Sequence, residues 1–251
     1  MNLTTSSSPQ PPQKLSPTRP PWGVGATLAW TVTAFAVSMV IATLVFGLWS
    51  AGRPRPASSV YDGVVIAIGT FVSVPVQIAV LAMAAQLRHW PPAVYLGLVV
   101  PRRAEVIVAA VAVIALNLTF DAILYISGRD IVPPFQVEVW RSATDAGWLV
   151  AMIIAIVVIA PIGEEIAFRG FLFRGWARPG WEMYAIAAIA LAWALLHIQY
   201  DWLGMVQIFV AGVVLGWFRW ATGSTILTIG MHILVNCQSM LETWIKMEFF
   251  P

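Results

Sequence analysis

The feature that most constrains this chain is a set of long stretches without any charged residue. Four such stretches lie between the following charged residues: Arg19 and Arg53, Asp62 and Arg88, Asp145 and Glu164, and Arg219 and Glu242. Apolar runs of about 18 residues or more can cross the hydrocarbon core of a bilayer. Only 10% of the 251 residues are charged, against about a quarter in soluble domains. These values exclude a water-soluble globule, a nucleic-acid-binding protein and intrinsic disorder over most of the chain.

Apolar segments predict the fold, because backbone groups in lipid must find their hydrogen bonds within one helix. We identify seven of them, at residues 23–49, 63–87, 104–127, 147–168, 183–199, 203–220 and 224–246. They predict an all-α fold, a polytopic transmembrane bundle of about seven helices. We expect an integral, multi-pass protein in contact with the lipid bilayer, located in the cell membrane if the chain is bacterial, and with no nucleic-acid partner.

The chain is predicted to have one domain preceded by a tail. Residues 1–21 are rich in Ser, Pro, Thr and Gln and predict a disordered polar tail. Residues 22–251 show no internal repeat and predict a single transmembrane domain.

Ionisable residues inside a membrane are costly and are therefore candidates for function. The first group is Glu164, Glu165 and Arg169. Glu165 and Arg169 are four residues apart, so their side chains can meet on one helix face. Glu164 lies about 100° around the helix from Glu165. We therefore interpret Glu165 as one half of an orienting ion pair and Glu164 as free for acid–base chemistry.

Two further groups follow on later apolar segments. Trp193 precedes His197 by one helical turn and can wall its imidazole, and His232 and Asn236 are again four residues apart. Each group alone also fits a structural role, as a charge cluster at the membrane edge, a packing histidine or an amide between helices. Their occurrence together, in order, favours a site.

At these residues the chain resembles the CPBP family, the CAAX-protease and bacteriocin-processing (Abi) intramembrane proteases, of the CAAX prenyl endopeptidase type. That family shows Glu-Glu-x-x-x-Arg, Phe-x-x-x-His and His-x-x-x-Asn on successive transmembrane helices. The first motif matches at Glu164 to Arg169 and the third at His232 and Asn236. In the second, Trp193 stands where the family usually has Phe, and both side chains are large aromatic rings that can wall the histidine. The resemblance covers a motif-bearing core at about residues 145–240 of a protease domain at 22–251.

The resemblance implies an endopeptidase that hydrolyses a peptide bond of a membrane-associated or prenylated substrate, either a peptide or a lipidated protein. Glu164 would be the general base that activates a water molecule, and His232 would help to hold that water. His197 and Asn236 would stabilise the oxyanion. Glu165 and Arg169 would form the supporting pair beside Trp193.

The use of a cofactor stays open at the level of the sequence. Members of the family have been described both as metalloproteases and as metal-independent glutamate proteases. If a single divalent metal such as zinc is bound, its ligands would be Glu164, His197 and His232, which form a donor set that zinc accepts. The chain has no His-Glu-x-x-His motif, which favours glutamate catalysis without a metal.

The predicted helices leave one conflict of depth. Glu164 lies about 24 Å from the start of the fourth helix, and His197 about 21 Å from the start of the fifth, so they approach opposite membrane faces. They can meet if the fourth helix continues past Arg169, or if residues 171–179 are re-entrant and the fifth helix is tilted. Their convergence in a water-filled cavity is a prediction.

Two other functions compete with an endopeptidase. One is a non-catalytic membrane scaffold or binding protein derived from this family, which a separation of Glu164, His197 and His232 by more than about 10 Å would favour. The other is a transporter that uses Asp121 and Glu164 as proton carriers, but paired broken helices and repeats are missing from the sequence. Asn117 and Asp121 show no recognisable partner spacing, and we interpret both as structural.

Overall fold

The computed structural model describes residues 20–52 and 61–250, so residues 1–19 of the predicted tail lie outside the described residues. The described part is helical, without β-strands, which confirms the all-α prediction. Its helices, in chain order, are α1 (Val24–Ser50), α2 (Gly63–Leu87), α3 (Pro92–Tyr95), α4 (Arg103–Ile126), α5 (Pro134–Asp145), α6 (Leu149–Trp176), α7 (Glu182–Leu195), α8 (Trp202–Thr222) and α9 (Thr225–Phe249).

The predicted count of seven membrane spans is not confirmed. Among the described residues, five helices are long and apolar enough to cross a membrane, namely α1, α2, α4, α6 and α8. Helix α7 has 14 residues and is therefore only about 21 Å long, against about 30 Å for a hydrocarbon core. Helix α9 has 25 residues but carries polar side chains such as His232, Asn236 and Glu242 among its apolar ones.

The outer faces of the bundle are apolar. Helix α1 exposes Met39 and Leu44, and helix α4 exposes Ile107 and Val111. Large contiguous apolar surfaces are rare on soluble monomers and mark contact with lipid or with another protein. Together with the five apolar spans, they identify an integral membrane protein.

Helix α6 carries the paired glutamates and is longer than predicted. It continues past Arg169 to Trp176, which is one of the two arrangements that remove the conflict of depth. Two stretches of it are π-helical, Ala155–Ile159 and Ile166–Leu172. Wide turns of this kind are uncommon and are frequent at functional sites. With 28 residues the helix is about 42 Å long, so Glu164 lies near its middle.

The apolar segments of the sequence do not predict helix α5, because it is polar and lies between two of them. It begins with Pro134 at its first position, where a missing backbone N–H costs nothing. The Ser142 hydroxyl accepts a hydrogen bond from the Gly63 amide at 2.8 Å. A Cβ at Gly63 would lie 2.6 Å from the Cβ of Ala143, so α5 packs closely against the start of α2.

The turn after α3 connects the later helices to α6. Gly97 has a φ of +67°, and a Cβ there would lie 2.4 Å from Nη2 of Arg219. Arg219 donates from Nε to the backbone oxygen of Arg169 at 2.9 Å. The Thr225 amide donates to the Gly97 oxygen at 2.8 Å. This turn therefore fixes the end of α8 and the start of α9 beside the ion-pairing residues of α6.

Candidate active site

The two adjacent glutamates of α6 lie in different surroundings. Glu165 is fully buried, with 0% of its surface exposed. Glu164 is partly buried and lines a cavity of about 260 Å³ between α5, α6, α9 and the turn after α7. Because the two side chains point about 100° apart on the helix, one faces the core and the other faces the cavity.

Glu165 and Arg169 form the ion pair that their spacing predicts. Arg169 Nη1 donates to Glu165 Oε1 at 2.8 Å, and Arg169 Nη2 donates to the Gly212 oxygen of α8 at 3.2 Å. The guanidinium lies 4.5 Å from the ring centre of Trp193, a cation–π distance. Within the described residues, Glu165 Oε2 and Arg169 Nε are buried without a hydrogen-bond partner. The pair is thus fully removed from the cavity.

His232 is held by the same carboxylate. Its Nδ1 lies 3.1 Å from Glu165 Oε1, and its side chain is buried. A carboxylate accepts hydrogen bonds, so Nδ1 carries the proton and Nε2 of the neutral ring is left as an acceptor. Glu165 therefore sets the orientation of His232, as outer carboxylates do for metal-binding histidines.

Trp193 has a larger role than the predicted wall. Its Nε1 donates to Glu164 Oε2 at 2.6 Å. Its ring packs edge-on against His197 and His232, with centroid distances of 5.2 Å to each. The phenylalanine usual in the family cannot make the bond to the carboxylate, because Phe has no polar atom.

His197 lies beyond the end of α7, although the sequence predicted a helix over residues 183–199. Helix α7 ends at Leu195, and His197 follows in a turn, with Nδ1 2.8 Å from the Trp193 oxygen. Because a carbonyl accepts, Nδ1 carries a proton and Nε2 remains available. The short α7 stops at the depth of the middle of α6, so His197 and Glu164 line the same cavity.

Asn236 lines this cavity from α9 and is anchored to α6. Its Nδ2 donates to the Ile156 oxygen at 2.9 Å. Ile156 lies in the first π-helical stretch, where the partner of its oxygen would be the amide of residue 161. Residue 161 is proline, which has no N–H. Asn236 thus satisfies an oxygen that Pro161 leaves free, and the second Nδ2 hydrogen remains for the cavity.

Tyr200 and Gln136 also line the cavity, and sequence reasoning missed both. Gln136 Nε2 donates to the Tyr200 oxygen at 3.2 Å and to Ser239 Oγ at 3.0 Å. Burial raises the pKa of Tyr200, the hydrogen bond from Gln136 opposes this, and the nearby charge of Glu164 raises the pKa further. The Tyr200 hydroxyl therefore stays protonated and is a donor. No spacing rule links Gln136 on the unpredicted α5 to the known motifs.

The sequence leaves a single divalent metal open, with Glu164, His197 and His232 as its ligands. In the part of the chain that the structure describes, no three His, Cys, Asp or Glu side chains are grouped closely enough to hold one. No step of the chemistry proposed below passes through a metal.

Comparison with protein families agrees with the three motifs. Residues 146–238 match the family model described as type II CAAX prenyl endopeptidase, Rce1-like. The matched stretch contains Glu164, His197, His232 and Asn236, so the resemblance to CAAX prenyl endopeptidases is confirmed there. No curated protein and no solved structure matches the chain. The family match supports an intramembrane protease role.

Proposed function

We propose that this chain is an intramembrane endopeptidase in which Glu164 activates a water molecule for attack on a peptide carbonyl. One observation carries the proposal. Glu164 Oε2 is fixed by Trp193, whereas Oε1 faces the cavity and makes no hydrogen bond within the described residues. The neighbouring Glu165 forms the ion pair with Arg169. Glu164 therefore has no ion-pair partner among the described residues and lies beside two imidazoles.

Two acceptors can orient the attacking water. Glu164 Oε1 accepts one of its hydrogens and His232 Nε2 accepts the other, which directs a lone pair of the water oxygen away from both. His232 holds this state because its Nδ1 is bonded to Glu165. General bases placed in this way contribute about 10²–10⁴-fold to a rate.

Glu164 both accepts and returns the proton that is transferred in the reaction. It takes one proton from the water as the new carbon–oxygen bond forms, and a tetrahedral intermediate results. When the carbon–nitrogen bond breaks, Glu164 returns that proton to the leaving amine nitrogen. The products are a carboxylic acid and an amine, and the carboxylate of Glu164 is restored.

Three donors face the developing oxyanion. Asn236 offers its second Nδ2 hydrogen, and Tyr200 offers its hydroxyl hydrogen, since its oxygen already accepts from Gln136. His197 offers Nε2–H in the form of the ring that carries a proton on both nitrogens. Donors positioned before the reaction in a site shielded from water give the largest electrostatic contribution to catalysis. Tyr200 joins the site as a third donor next to the two that the family resemblance implies.

We assign the substrate class from the family match and the position of the site. Glu164 lies near the middle of a 28-residue apolar helix, so the scissile bond is hydrolysed within the membrane. The substrate is a membrane-associated or prenylated peptide or protein. Residues 22–251 act as one protease domain, with the motif-bearing core at about 145–240.

The test uses the full chain, purified into lipid nanodiscs. The probe is a fluorescent peptide with a farnesylated cysteine followed by three C-terminal residues, together with the same peptide lacking the farnesyl group. We expect the wild-type chain to release the C-terminal tripeptide, detected by mass spectrometry, and Glu164→Gln to lower the rate by at least about 10²-fold.

The matched control is Glu248→Gln, which makes the same change at an exposed position of α9. It should cleave like the wild type. Full activity of Glu164→Gln would refute the assignment of the base. Binding of the peptide without cleavage by the wild type would instead favour the non-catalytic scaffold.

A further inference from the structure

A second cavity adjoins the candidate active site. It has a volume of about 520 Å³ and shares His197, Tyr200, His232 and Asn236 with it. It extends away from Glu164 between α4, α8 and α9, where Asn117, Asp121 and Glu242 line its wall. A ligand bound there would be continuous with one bound at the catalytic residues.

The charges around this second cavity do not balance. Arg129, which lines the cavity, pairs with Asp201, and Lys246 lies 3.3 Å from the lining residue Asp130. Both cations therefore have acidic partners. The remaining carboxylates are Asp121 and Glu242. Neither has an ion-pair partner within the described residues.

Gln238 holds these two carboxylates together. Its Nε2 donates to Asp121 Oδ2 at 3.0 Å and to Glu242 Oε1 at 2.9 Å. One amide nitrogen thus bridges Asp121 on α4 and Glu242 on α9. The two carboxyl groups also hydrogen-bond to each other, which requires a proton on one of them, so the pair keeps one negative charge. A neutral amide does not compensate this charge, and uncompensated charge inside a membrane protein is costly. The cavity therefore favours a ligand that brings positive charge.

Asn117 gives independent support for a ligand. Its side chain is 5% exposed and lines the cavity one helical turn before Asp121 on α4. It makes no hydrogen bond within the described residues, although buried amides are nearly always bonded. Its polar atoms face the cavity, where a bound group could bond to the amide oxygen.

We propose that Asp121, Glu242 and Asn117 form a subsite that binds the cationic side chain of a lysine or arginine in the substrate peptide. This inference rests on the proposed function, and it names the class of substrate that the site selects. An ammonium or guanidinium group presents several N–H donors to oxygen acceptors, and the subsite offers two carboxyl groups and an amide oxygen.

Helix geometry places the cationic residue in the substrate. Glu242 follows Asn236 by six residues and His232 by ten on α9, which corresponds to about 9–15 Å along the helix. An extended peptide advances about 3.3 Å per residue. The lysine or arginine therefore lies within about four residues of the scissile bond.

The experiment compares peptides that differ in charge at one position. Quenched fluorogenic peptides carry Lys, Arg, Gln or norleucine at each of the four positions on either side of the scissile bond. They are presented to the full chain in nanodiscs. We expect one position at which Lys or Arg raises kcat/KM by about tenfold or more over Gln and norleucine. Asp121→Asn and Glu242→Gln should each lower that preference to below about threefold, while cleavage of the neutral peptides is kept.

Two controls make the result specific. Asparagine and glutamine keep an oxygen that accepts from Gln238, so these variants remove charge with little change in shape. Asp130→Asn removes a carboxylate from the mouth of the same cavity, where Lys246 is its partner, and should leave the preference unchanged. A folding defect would lower cleavage of charged and neutral peptides alike, whereas loss of the subsite changes their ratio.

A binding measurement separates this proposal from the proposed function. Fluorescent forms of the same peptides are titrated against Glu164→Gln, followed by anisotropy. Tighter binding of Lys or Arg peptides, lost in the additional Asp121→Asn variant, supports the subsite even if the wild type cleaves nothing. Cleavage or binding that is indifferent to charge at every position overturns the subsite, and the general-base role of Glu164 stands or falls separately.

Discussion

Two neighbouring carboxylates on α6 have opposite surroundings. Glu165 is enclosed, paired with Arg169 and bonded to His232, and makes no contact with the cavity. Glu164 lines the cavity and is fixed through one oxygen by Trp193. A helix turns by about 100° per residue. Two adjacent side chains can therefore have different roles, one in supporting the fold and the other in the chemistry.

The largest expected effect comes from removing the enclosed carboxylate. Glu165→Ala leaves Arg169 buried without its partner, and breaking a buried pair in this way costs about 3–5 kcal/mol. We expect a sharp fall in the yield of folded protein and in its thermal stability in detergent. Glu164→Ala, one residue away, should retain both, and thermal scans of the two purified variants measure the difference.

A double variant shows which part of this effect is structural. Replacing the pair by Glu165→Leu and Arg169→Met together removes both charges, and apolar replacements of buried pairs are often neutral or stabilising. Stability should return, whereas activity should not, because His232 has lost the acceptor that orients it. Recovery of activity with stability would show that Glu165 has no part in positioning His232.

A smaller effect is expected from Asn236, which bonds to the backbone of α6 and lines the cavity. Asn236→Ala removes the donor to the Ile156 oxygen and a donor to the oxyanion. Loss of one such donor costs about 10²–10³-fold in kcat. Kinetic measurements should show this fall in kcat, and Cys237→Ala, at the exposed neighbouring position, should show none. An unchanged kcat would remove Asn236 from the list of donors.

The smallest effect is expected for Tyr200, which lines the same cavity as Glu164. Because burial raises its pKa and the charge of Glu164 adds to this, the phenol stays protonated below about pH 10. Tyr200→Phe should therefore lower kcat by about tenfold, and by the same factor from about pH 6 to about pH 9. A ratio of rates that changes over this pH range would mean that Tyr200 titrates there and is not a constant donor.

Much of the architecture follows from the sequence for simple physical reasons. Lipid requires hydrogen-bonded helices, so the apolar segments of the sequence predict α1, α2 and α4 to within a few residues. Fixed helical spacing gave the contact between Glu165 and Arg169. Such inferences use only the period of one helix and the solvent around it.

Features that depend on contacts between distant segments were not predictable. Helix α5 is polar and short, and its role in the site depends on the hydrogen bond from Gln136 to Tyr200. The position of His197 depends on where α7 ends relative to the middle of α6. Asp121 has no informative spacing, because its partner Gln238 lies on another helix far along the chain.

The wide turns of α6 determine where this helix can change in length. A π-helical turn holds one residue more than an α-helical turn. Loss of one residue within Ala155–Ile159 can therefore be absorbed by closing that turn, and Glu164 keeps its direction. Loss of one residue from Ala160–Glu165 cannot be absorbed in this way, because that stretch is α-helical. It rotates the part of the helix before the deletion against the part after it by about 100°. We therefore expect loss of one residue to be tolerated within Ala155–Ile159 and not within Ala160–Glu165.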